Sequence, residues 1–61
     1  MSTLDQKGAR EVLTALQDEH MERLSKWETG FVASLQEWVD GGRDLTEGQL
    51  DTLEKIWVRM P

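Results

Sequence analysis

His20 is the only histidine in the sequence, and carboxylates surround it: Asp18 and Glu19 before it, Glu22 after it. An imidazole among acids at this spacing has the makings of a general base or of one metal ligand. Either role needs companions. The chain has no cysteine and no tyrosine, so a thiolate or phenolate nucleophile is excluded, and so is a disulfide or a cysteine zinc site. At 100° per residue His20 falls inside the apolar arc of Leu13, Leu16 and Leu24. It therefore reads as a core-edge residue whose ring nitrogen finds a backbone acceptor. Gly41, Gly42 and Arg43 form the one glycine-basic cluster, too short and wrongly placed for a phosphate loop. No catalytic, cofactor-binding or metal-binding residue is expected, and the chain reads as a non-enzyme.

Binding remains, and charge narrows it. Twelve acidic against seven basic residues leave a net charge of −5, which opposes nonspecific attraction to nucleic acid or to an anionic membrane. Apolar runs last only a few residues, so no membrane span or secretory signal is expected, and a cytoplasmic setting follows. A chain of 61 residues holds one small domain, residues 1–61, burying roughly 60% of its unfolded surface. Such a domain needs support, and without disulfides or a metal that support is close helix packing, self-association or a partner.

The elements that position these residues are helices. Ala9, Val12, Leu13, Leu16 and Leu24 share one helical sector, predicting a first helix over about 3–23 with Ser2 or Thr3 as N-cap and Asp5 in its first turn. Within it Glu19 and Arg23, and across its end Glu22 and Lys26, make acid-before-base pairs. Ser25 followed by Glu28 is a capping box that opens a second helix over about 26–40. Its apolar stripe is Trp27, Phe31, Leu35, Trp38 and Val39, with Val32 at the flank, and Gly41-Gly42 ends it. Thr46 and Gln49 form another capping box, and Leu45 with Leu50 a hydrophobic staple, so a third helix spans about 47–60. Leu50, Leu53, Ile56, Trp57 and Met60 make its buried face. The fold class is all-α: a compact three-helix unit whose last two helices form an antiparallel hairpin.

Spacing assigns Trp27 and Trp38 to the core, while Trp57 stands between core and interface because Val58 and Met60 widen the apolar sector there. The candidate partner-binding residues are Arg43, Gln49, Trp57, Arg59 and Met60. A helix–turn–helix reading of the 43–55 corner, with direct nucleic-acid binding, meets Glu47, Asp51 and Glu54 on the would-be reading helix, the wrong sign for a phosphate-lined groove.

From Trp27 to Ile56 the pattern W-E-x-x-F-x-x-S-L-x-x-W/Q…G-R-x-L-T/S-x-x-Q-L-x-x-L-E-K-I resembles a short helical segment of small phage and prophage proteins, and of the tails of phage-type replication and helicase proteins. The matching positions are Trp27, Glu28, Phe31, Ser34, Leu35, Gly42, Arg43, Leu45, Thr46, Gln49, Leu53 and Ile56, over about half the chain; the first helix lies outside. The resemblance implies a phage or mobile-element setting, hence the host cytoplasm, and work near nucleic-acid machinery. The expected function is a small protein-binding module that docks on a nucleic-acid-processing or host defence complex. Direct nucleic-acid binding and a structural homo-oligomer are the alternatives.

Overall fold

The computed structural model describes residues 3–60. Three helices follow one another, α1 (Gln6–Glu19), α2 (Lys26–Asp40) and α3 (Glu47–Val58), with one 3-10 turn, Met21–Arg23, between the first two. Among the described residues the regular structure is entirely helical.

Each helix starts on a side-chain cap. The Asp5 carboxylate accepts from the Gly8 N–H at 2.7 Å, so Asp5 is the N-cap of α1. Thr3 instead bonds the Glu54 carboxylate on α3 through both its N–H and its hydroxyl, and Ser2 lies outside the described residues. Both expected capping boxes are present. The Glu28 N–H donates to Ser25 Oγ at 3.1 Å and the Ser25 N–H to Glu28 Oε1 at 2.9 Å. Thr46 and Gln49 exchange the same two bonds at 3.2 and 2.8 Å. Gly42, at φ +82°, closes α2 in a Schellman motif: its N–H reaches the Val39 carbonyl and that of Arg43 the Trp38 carbonyl.

α1 is shorter than its apolar spacing suggests. It ends at Glu19, with His20 at φ −124° as its C-cap, and the chain turns through Met21–Arg23. No glycine or proline marks this stop. The turn directs Leu24 onto the core and delivers Ser25 to cap α2, so packing overrides the continuing periodicity. The i,i+4 register needed by Glu19–Arg23 and Glu22–Lys26 is thereby broken. Asp51–Lys55, inside α3, does form, at 3.4 Å.

The core is aliphatic. Ala9, Val12, Leu13 and Leu16 from α1 meet Val32 and Leu35 from α2 and Leu50, Leu53 and Ile56 from α3, with Leu45 beneath the corner. Of Trp27 and Trp38, which the spacing assigns to the core, neither is buried, and Trp57 is half-buried. α2 is rolled about its axis relative to its expected stripe: Leu35 faces inward as expected, but Glu28 and Val32 join it there, and Trp27 is 62% exposed. Glu28 tolerates burial because its carboxylate accepts from the Ser25 N–H and pairs with the Arg59 guanidinium at the far end of α3. That pairing joins the start of α2 to the end of α3, so these two helices run antiparallel.

α1 packs against both other helices and is the hub of the fold. Overall dimensions of 26 × 24 × 18 Å show that helices about 21 Å long cross one another in a near-equant body. One long-range clasp fixes the corner: Gln6 Nε2 donates to the Leu45 carbonyl and the Leu45 N–H donates to Gln6 Oε1, both at 2.8 Å. Leu45 is buried, so Gln6 satisfies both of its backbone polar groups where water has little access.

Candidate functional site

The roll of α2 turns its aromatic residues outward. Trp27 stacks on Phe31 with ring centroids 5.2 Å apart and planes within 7° of parallel. Lys26, Gly30 and Ser34 complete a shallow concavity around this pair. Ser34 is shared with a second concavity formed with Glu37, Trp38, Gly41 and Arg43. Together the two run down the outer side of α2 and meet at Ser34, with aromatic rings on either side of it, Glu37 beside it and a cation at each end. Residues 27, 31, 34, 38 and 41 recur at helical spacing, about 100° round the axis from the buried Glu28–Val32–Leu35 line.

The strip is well positioned. Capping fixes α2 at both ends, and the Trp38 indole N–H donates to the Asp44 carbonyl at 2.8 Å. The Arg43 guanidinium lies 4.9 Å above the centre of the same ring, so the indole is held from its edge and its face. Phe31 and Trp38 are half-buried and pack against the core, whereas Trp27 stands clear of it.

The five residues singled out from the sequence do not form one patch. Arg43 belongs to the α2 strip. Gln49 is engaged in the Thr46 capping box. Trp57, Arg59 and Met60 sit at the other end of α3, where Trp57 and Met60 are half-buried against the core and Arg59 pairs with Glu28. Trp57 meets His20 edge to face, with centroids 5.9 Å apart and planes at 74°. His20 is thus at the core edge as expected, but its Nδ1 is buried without a hydrogen-bond partner rather than bonded to a backbone carbonyl. Asp18 and Glu19 lie on the outward face of α1, which also carries Lys7 and Arg10 nearer its start. Among the described residues no group of histidines and carboxylates is placed to hold a metal ion, and no helix is long and apolar enough to cross a membrane.

The sequence does not single out Trp27, Gly30, Phe31 and Ser34 as a site, and the exposure of Trp27 is the departure among them, since Phe31 is half-buried against the core. Two signals could have found them. Glu28, Val32, Leu35 and Val39 form a rival stripe at the same period, and Gly30 is an otherwise costly glycine in mid-helix. Comparison of the chain with protein-family models, with curated proteins and with solved structures finds no match.

Proposed function

We propose that the chain is a small, non-enzymatic protein-binding module that docks through the outer face of α2. The observation that carries this is the exposure of Trp27, stacked on Phe31, on a helix whose both ends are fixed by caps. An aromatic anchor of this kind adds large contact area at low cost in conformational entropy. Arg43 at one end and Lys26 at the other suit a partner segment with acidic flanks. The net charge of −5 favours a protein partner over direct contact with nucleic acid. The resemblance of residues 27–56 to phage-type segments supports a phage or mobile-element setting in the host cytoplasm, with a nucleic-acid-processing or host defence complex as the target.

Affinity capture from a bacterial host lysate tests the reading, with wild type compared against Trp27→Lys and Arg43→Ala. Both variants should keep the helical circular dichroism spectrum and lose the captured protein. Capture that survives both substitutions and disappears with Trp57→Ala would move the site to the end of α3 and refute the α2 face.

A further inference from the structure

We draw no further inference here: the strongest candidate, the aromatic strip down the outer side of α2 with Trp27 and Phe31 at one end and Trp38 at the other, belongs to the docking face already described, and nothing in the structure shows what covers it.

Discussion

Replacing Gln6 by alanine removes the clasp on the corner and leaves the Leu45 N–H and carbonyl without their partner. Both bonds are 2.8 Å, and Leu45 is buried. A net contribution of about 1 kcal/mol per hydrogen bond gives a loss of about 2 kcal/mol. Alanine's better helix propensity, at the first position of α1, returns a few tenths of that. For a 61-residue domain the total stability is about 3–9 kcal/mol, so the loss is a large fraction of it. Thermal melts followed at 222 nm should show Tm falling by about 8–16 °C, at about 4–8 °C per kcal/mol for a domain of this size. Hydrogen exchange adds a local readout, because the Leu45 amide should lose its protection while the amides of the Thr46 cap keep theirs. Gln6→Glu retains only the acceptor and should lose more than half of the stabilisation. A Tm within about 2 °C of wild type, with the Leu45 amide still protected, would refute the reasoning.

Three further outcomes follow from packing. Trp27→Ala should cost less than about 1 kcal/mol in denaturant unfolding, since the ring is 62% exposed and loses chiefly its stack on Phe31. Leu53→Ala removes a fully buried side chain between the helices, at about 2–5 kcal/mol, and should lower Tm by at least about 8 °C. Glu28→Gln keeps an oxygen for the Ser25 N–H but not the charge that faces Arg59. Its cost should be about 1 kcal/mol once the solvation of the exposed guanidinium is allowed for, and unfolding midpoints should become less sensitive to salt.

What could be read from the sequence was local. Ser25 with Glu28, Thr46 with Gln49, and the Gly41-Gly42 stop lie within a few residues of the backbone groups they satisfy, and all three operate as expected. The aliphatic faces of α1 and α3 were legible for the same reason, since one period governed each. α2 carried two competing stripes, and the aromatic one was the more hydrophobic. The choice between them depended on Arg59, which lies 31 residues from Glu28 in sequence and makes burial of that carboxylate tolerable. The end of α1 had no local marker either, because the turn after Glu19 answers to the packing of Leu24 and α2. Arg43 is the one candidate site residue on the aromatic strip; its aromatic neighbours there, Trp27, Phe31 and Trp38, are the ones the spacing assigns to the interior.

The clasp between Gln6 and Leu45 also bears on which pieces of this chain can stand alone. Residues 26–60 contain the antiparallel pair, yet α1 completes the corner's buried backbone and supplies four of the ten buried aliphatic residues. Severed in the 20–25 connection, the two fragments should each be unstructured and should recover the fold when mixed.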